Sequence, residues 1–309
     1  MPERSGSPHD IYWRAVTTGF ASRHASGSSA GRPPSLVIEL RPKPAQSSEV
    51  FNAHRDGRAA HPIVVTSSSY ANTLAALGSA QKPAGGAPAY SRFINRPLGR
   101  RLAAAAFRMG LSPNAVSGIS AVFTLGAIAL LGILRASIPL GLTVAVLLIS
   151  GYALDAADGQ LARLRGGGSP AGEWLDHILD AVKVSSLHLA VLISMYRSFG
   201  FTAGAWLLIP IGFSIVAAVL YFAIILNDQL MRRYAIRSTR SHDTRSLGRS
   251  LVVAPTDYGL LCVIFMILGL HHIFLVLYTS MFIGSTIYLG LGSIKWFREL
   301  KSLGQGALS

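Results

Sequence analysis

The chain has 309 residues, is half hydrophobic and only 14% charged, yet carries a formal net charge of +14. So apolar a chain with so few charges excludes an ordinary water-soluble globular domain and places the cationic residues outside the apolar segments. Cys262 is the one cysteine and falls in an apolar run, which excludes an intramolecular disulfide or a cysteine metal cluster and reads as a small core residue.

Residues 1–89 are rich in Ser, Gly, Pro and Ala, as in "HASGSSAGRPPS" and "QKPAGGAPA". That composition buries too little apolar surface for one compact core, so the segment is predicted to be mostly disordered and cytoplasmic. Two β-like runs within it, "SLVIEL" and "PIVVTSSS", are marginal as isolated strands. No continuous apolar core of signal-peptide type opens the chain, so neither cleavage nor export is expected.

Residues 90–113 interleave Arg92, Arg96, Arg100, Arg101 and Arg108 with Phe93, Ile94, Leu98, Leu102 and Phe107. The mixture predicts a basic amphipathic juxtamembrane helix that lies on anionic lipid and is placed to wall one side of a cleft. Beyond it, residues 114–300 hold six apolar runs, at about 114–134, 139–163, 173–197, 201–227, 255–270 and 272–294. Roughly 20 apolar residues cross the hydrocarbon core as a helix, so the expected fold is all-α, a polytopic membrane protein with six spans, the fifth of them short.

Lys and Arg accumulate on the cytoplasmic side of membrane proteins. Fourteen precede the first span; Arg163 and Arg165 join the second to the third; Arg232, Arg233, Arg237, Arg240, Arg245 and Arg249 join the fourth to the fifth; Lys295, Arg298 and Lys301 follow the sixth. The opposite side shows only Arg135 and Arg197. Both termini and the "LRGGGSPAG" loop are therefore expected on the cytoplasmic face of the cytoplasmic membrane.

That loop separates four aspartates. Asp155 and Asp158 are three residues apart near the end of the second span, and Asp176 and Asp180 are four apart at the start of the third. Both spacings put side chains on one helical face, so an antiparallel hairpin brings the pairs together just inside the membrane boundary. Four ionised carboxylates there must be protonated, separated by water or bound to cations, and a divalent site is the simplest resolution. All-oxygen ligand sets suit Mg²⁺, Mn²⁺ or Ca²⁺. Gly159 and Ala162 on the aspartate face, and Gly172 at the mouth of the third span, leave room for a ligand, while Arg163 offers a planar fork to a phosphate.

Written out, residues 155–180 read D-x-x-D-G-x-x-A-R, eight residues, then G-x-x-x-D-x-x-x-D. The pattern resembles the signature of the CDP-alcohol phosphotransferase family at every fixed position, and "GLSPNAVSGIS" before the first span is similar to that family's Pro-Asn entry. The likeness covers about residues 90–300. It implies a dimetal site of Mg²⁺ or Mn²⁺ on Asp155, Asp158, Asp176 and Asp180. It further implies donor contacts from Asp158, Gly159, Ala162, Arg163 and Gly172, and Asp180 as the base that deprotonates the attacking hydroxyl. A homodimer is implied too. No nucleic acid is expected as a partner.

The expected reaction is transfer of a phosphatidyl group from CDP-diacylglycerol to a polar alcohol or alcohol phosphate, with release of CMP, in phospholipid biosynthesis. A phosphorylated acceptor needs cations near the metals, and Lys183, Arg232 and Arg237 are the candidates. For Lys183 the competing role is a neutralising partner of the aspartates; for the loop arginines it is setting topology. Asp257 reads as a helix cap in preference to an acceptor contact. His177 and His188 read as packed or solvent-facing residues, and His271 and His272 as interfacial ones. Two alternatives remain at this stage: a soluble CDP-alcohol with a lipid acceptor, and a divalent-cation transporter. The clustering of the aspartates near one face weighs against transport.

Overall fold

The computed structural model describes residues 69–79, 88–200, 204–233 and 254–306, and among them every regular element is helical. The first β-like run and all but the last residue of the second lie outside this set, as do Arg237 and the side chain of Arg232. A helix, α1, Tyr70–Ser79, occupies part of the segment whose composition predicts mostly disorder. It forms because it docks. Leu77 is fully buried in a cluster with Ala103, Ala104 and Leu161, and the Tyr70 hydroxyl donates to the Arg101 carbonyl at 3.3 Å.

The juxtamembrane segment is a π-helical turn, Ser91–Asn95, running into α2, Arg96–Arg108. Its small residues Gly99, Ala103, Ala104 and Ala106 are buried, while Phe93 and Ile94 are about half exposed. The helix is thus amphipathic as expected, and its inward face lies on protein.

Three spans follow with one start signal. Helices α3 (Pro113–Ile133), α4 (Ile138–Leu164) and α5 (Pro170–Ser198) each have a proline in the first turn. Each is also capped by a serine, Ser112, Ser137 or Ser169, whose oxygen accepts a backbone N–H two or three residues into the helix. The proline has no N–H to waste there, and the serine satisfies a donor that the helix cannot. Helix α6 is Leu208–Arg233. A shorter apolar helix, α7, Tyr258–Ile264, continues as a 3-10 turn to Ile267, and α8, His271–Gly306, ends the described chain.

Five stretches are long and apolar enough to cross a membrane: α3, α4, α5, Ala205–Met231 (the α6 region) and α8, and the protein is an integral membrane protein. The fifth expected span is the apolar helix Tyr258–Ile267; its ten residues reach about 15 Å, half the hydrocarbon thickness. Conversely, α8 runs past the expected end at 294 because "KWFRELKSLGQG" continues the helix with an i,i+4 pair, Lys295–Glu299 at 3.7 Å.

Helix α4 is the axis of the domain, packed by α3, α2 and α7. Its contact with α3 is close because Gly151 lies where any Cβ would collide with Thr124, and the Ser120 hydroxyl donates to the Gly151 carbonyl at 2.8 Å. Without a hydrophobic drive between helices in lipid, such small-residue contacts and interhelical hydrogen bonds hold the pair. Helices α4 and α5, though consecutive, make few close backbone approaches; α3 packs on both. The gap between them receives the acidic side chains.

Candidate active site

The turn from α4 to α5 uses two successive glycines with positive φ, Gly166 at 93° and Gly167 at 126°, a backbone that a side chain would strain. The Gly166 N–H donates to the Arg163 carbonyl and the Gly167 N–H to the Ala162 carbonyl, which ends α4 nearly two turns beyond Asp158. Helix α5 then starts at Pro170 and carries its acidic residues back past those of α4.

Asp155, Asp158 and Asp176 offer carboxylate oxygens that all lie within 4.8 Å of one another. Asp158 is 6% exposed and accepts a short hydrogen bond from the Ser117 hydroxyl of α3. Burying a carboxylate is costly unless it is paired, and this bond offsets part of that cost. Asp180, the fourth expected ligand, lies outside this group of three. Its Oδ1 accepts from Lys183 Nζ at 3.1 Å, and the same ammonium donates to Asp155 Oδ1 at 2.6 Å.

A cavity of about 230 Å³ opens beside the three carboxylates, lined by Asp155, Asp158, Asp176, Gly159, Gln160, Arg163, Tyr152, Ser91, Asn95 and Arg96. Two guanidinium groups and three carboxylates thus border one space, the charge pattern that a divalent ion and a diphosphate together would satisfy. A Cβ on Gly159 would meet only the Arg163 Nη1, at 3.5 Å, so the backbone there is open to a ligand. Ala162 and Gly172 lie outside the lining; Gly172 faces Asn114 and Ser169, and a Cβ added to it would lie 3.0 Å from Asn114 Oδ1.

A model of the CDP-alcohol phosphatidyltransferase family matches residues 111–291, which is more than half of the chain. The chain belongs to this family. No curated protein matches it. Membership makes it a transferase enzyme that moves a phosphoryl-alcohol group from a CDP-alcohol, and it sets the transporter reading aside. Helix α2 and its cavity-lining turn precede the matched stretch, so this wall of the site belongs to the chain's own N-terminal part.

Reading the sequence did not single out Ser91, Asn95, Gln160, Tyr152 or Ser117. Asn95 Nδ2 donates to the Tyr152 carbonyl at 3.1 Å, and Gln160 Nε2 to the Arg96 carbonyl at 3.2 Å, stitching the α2 wall to α4. Gln160 sits inside the D-x-x-D-G-x-x-A-R run and Ser117 lies three residues past Asn114; both signals were present but carried no charge. Asp257 is a cap as expected, accepting from the Gly259 N–H at 3.1 Å through Oδ1. Its Oδ2 also accepts from the Tyr90 N–H at 2.8 Å, a contact absent from the sequence expectation.

Among the histidines, His188 and His271 pack against aromatic rings, His177 is half-buried beside Glu173 and His272 is exposed. His188 is buried against Phe213, with ring centroids 4.0 Å apart, and its Nδ1 is 2.7 Å from the Tyr278 hydroxyl. His271 stacks on Phe199, and the Tyr221 hydroxyl donates to the His177 carbonyl at 2.8 Å.

Proposed function

We propose that this protein transfers a phosphatidyl group from CDP-diacylglycerol to the hydroxyl of a polar alcohol or alcohol phosphate and releases CMP, as a step of phospholipid synthesis in the cytoplasmic membrane. The observation that carries the reading is the single cavity bordered by Asp155, Asp158, Asp176, Arg96 and Arg163. The all-oxygen donor set fits Mg²⁺ or Mn²⁺, which when bound supplies charge neutralisation of the diphosphate and makes CMP a better leaving group.

In this reading Arg163 and Arg96 grip the diphosphate, and Gly159 lets it approach the α4 backbone. Asp180 takes the proton from the acceptor hydroxyl with the oxygen that Lys183 does not hold. The acceptor oxygen then bonds to the phosphorus of the phosphatidyl group while the bond to CMP breaks, the electron pair leaving with CMP. Ala162 and Gly172, the remaining donor contacts implied by the family signature, act through the backbone next to the cavity. Arg232, in the last turn of α6, and Arg237, further along the sequence, serve a phosphorylated acceptor. The distribution of Lys and Arg supports an active site and both termini on the cytoplasmic side; the homodimer follows from the resemblance alone.

One observation favours a second arrangement. An apolar cavity of about 160 Å³ begins one turn past Asp180, at Val184, and extends between Leu187, Phe213, Leu220, Leu261 and Met281. It suits a hydrocarbon tail beside the attacking hydroxyl, as a lipid acceptor paired with a soluble CDP-alcohol would require.

The test supplies both. Purified protein with Mn²⁺ or Mg²⁺ is given CDP-diacylglycerol with a panel of polar alcohols and alcohol phosphates, or CDP-ethanolamine with diacylglycerol, and products are identified by mass. CMP release and a new phosphodiester in the first arm are expected. Product only in the second arm reverses donor and acceptor, and no metal-dependent CMP release in either overturns the proposal.

A further inference from the structure

Tyr258 is the first residue of α7 and stands where the two cavities approach each other. It lines the apolar cavity together with Val184, one turn past Asp180, and its ring meets that of Tyr152, which lines the acidic cavity, edge-on with centroids 5.2 Å apart. The charges of Asp155 and Asp180 both reach its hydroxyl. We propose that Tyr258 is an acceptor-binding residue, whose hydroxyl holds a second hydroxyl of the acceptor while Asp180 takes the proton from the attacking one, so that the enzyme selects alcohols with at least two hydroxyl groups. The inference rests on the polar-acceptor reading given under Proposed function.

Three other polar side chains around the apolar cavity have their partners. The Tyr221 hydroxyl donates to the His177 carbonyl at 2.8 Å, the Ser285 hydroxyl donates to the Pro255 carbonyl at 2.9 Å, and His188 Nδ1 lies 2.7 Å from the Tyr278 hydroxyl. The Tyr258 hydroxyl is buried and meets no hydrogen-bond partner. Cys262, one turn along α7, offers it only a thiol, a weak acceptor. A buried polar group left in this state is costly, and a ligand oxygen removes the cost.

The surroundings set the class of that oxygen. Asp155 and Asp180 disfavour an anionic oxygen beside them, whereas a neutral hydroxyl can both accept from a phenol and donate to it. One hydrogen bond at Asp180 leaves an acceptor free to turn about it. A second at Tyr258 fixes the orientation of the attacking oxygen. An alcohol without the second hydroxyl leaves the phenol unpaired and is rejected on that ground.

Tyr258→Phe removes the hydroxyl and keeps the ring against Tyr152. Native and variant full-length protein in detergent micelles, with Mn²⁺ and CDP-diacylglycerol, are given glycerol, glycerol 3-phosphate and inositol 1-phosphate. Each is paired with an analogue that has one hydroxyl, 1-propanol, 3-hydroxypropyl phosphate or 2-hydroxycyclohexyl phosphate, and serine is added as a further single-hydroxyl acceptor. The native protein should favour a member with several hydroxyls over its analogue by about 10- to 100-fold in kcat/KM. The variant should raise the KM of that acceptor by a similar factor, level the preference and keep the KM for CDP-diacylglycerol. It should also melt no lower than the native protein, because the lost hydroxyl had no partner. A native protein that uses a single-hydroxyl acceptor as well or better, or a variant with an unchanged acceptor KM, overturns the inference and leaves the transferase reading intact. A lower melting temperature does the same, since it shows the hydroxyl already satisfied, by water or by Cys262. No Mn²⁺-dependent CMP release by the native protein with any of these acceptors removes the polar-acceptor reading, and the inference with it.

Discussion

The first three spans and the later ones are built for different surroundings. In α3 and α4, 44% of the apolar window is buried inside the protein, and in α5 39%, against 17% for Ala205–Met231 and 28% for α8. The early spans meet through Gly151, Ser120 and Thr124 and carry all four aspartates. The later ones turn Ile215, Phe222, Val276 and Ile287 outward, each more than half exposed. The acidic cluster therefore sits on the half whose backbones are locked by close contact, while the later spans turn mainly apolar side chains outward.

The sharpest way to break that contrast is at the acid cluster. Asp180→Asn removes the proposed base while keeping the side chain's size, so turnover should fall about 10²- to 10⁴-fold in a chain that still folds, with a lower melting temperature because the Lys183 ammonium loses one of its two carboxylates. A folded variant that keeps full turnover would remove Asp180 from the mechanism. Next comes the packing beneath the site. Gly151→Val drives methyl groups into Thr124 of α3 and should cost about 1–3 kcal/mol of stability, read as a lower melting temperature, with a parallel loss of Mn²⁺ affinity as Ser117 and Asp158 part. The smallest effect belongs to the lipid face: Phe222→Leu, at a side chain 63% exposed, should change stability by less than about 0.5 kcal/mol and leave turnover unaltered. A large effect there would show that α6 is covered by protein, as a dimer interface would be.

The acidic pattern was readable because helical spacing alone puts Asp155 with Asp158 and Asp176 with Asp180 on one face, and lipid leaves a helix little choice of orientation. The partition among them was not readable. That Asp180 turns to Lys183 while the other three converge depends on side-chain rotamers and on the separation of α4 from α5, which residue types do not encode. The α2 wall was half legible. Its arginines announced a membrane-surface helix, but the burial of Asn95 against Tyr152 joins residues 57 apart, a relation invisible to any local window.

Two further departures have local causes. Helix α1 is only ten residues long and alone would be marginal in water, so its sequence resembles the Ser- and Gly-rich chain around it until Leu77 finds its cluster. The fifth span is short as expected, and the departure is in its bounds, Tyr258–Ile267 in place of about 255–270. Pro255 lies before α7 in a 3-10 turn, and Gly269 packs so closely on Ser137 and Ile138 that the chain bends there toward α8.

Asp257 joins what the chain order keeps apart. One of its oxygens starts α7, the other fastens Tyr90 at the threshold of α2, and the ring of Tyr90 lies over Gly259 and beside Tyr152. The clasp closes a circuit from the last third of the protein to the rim of the cavity that Ser91, Asn95 and Arg96 line, so slackening at the foot of α7 would reach Arg96 without passing through a single aspartate of the motif.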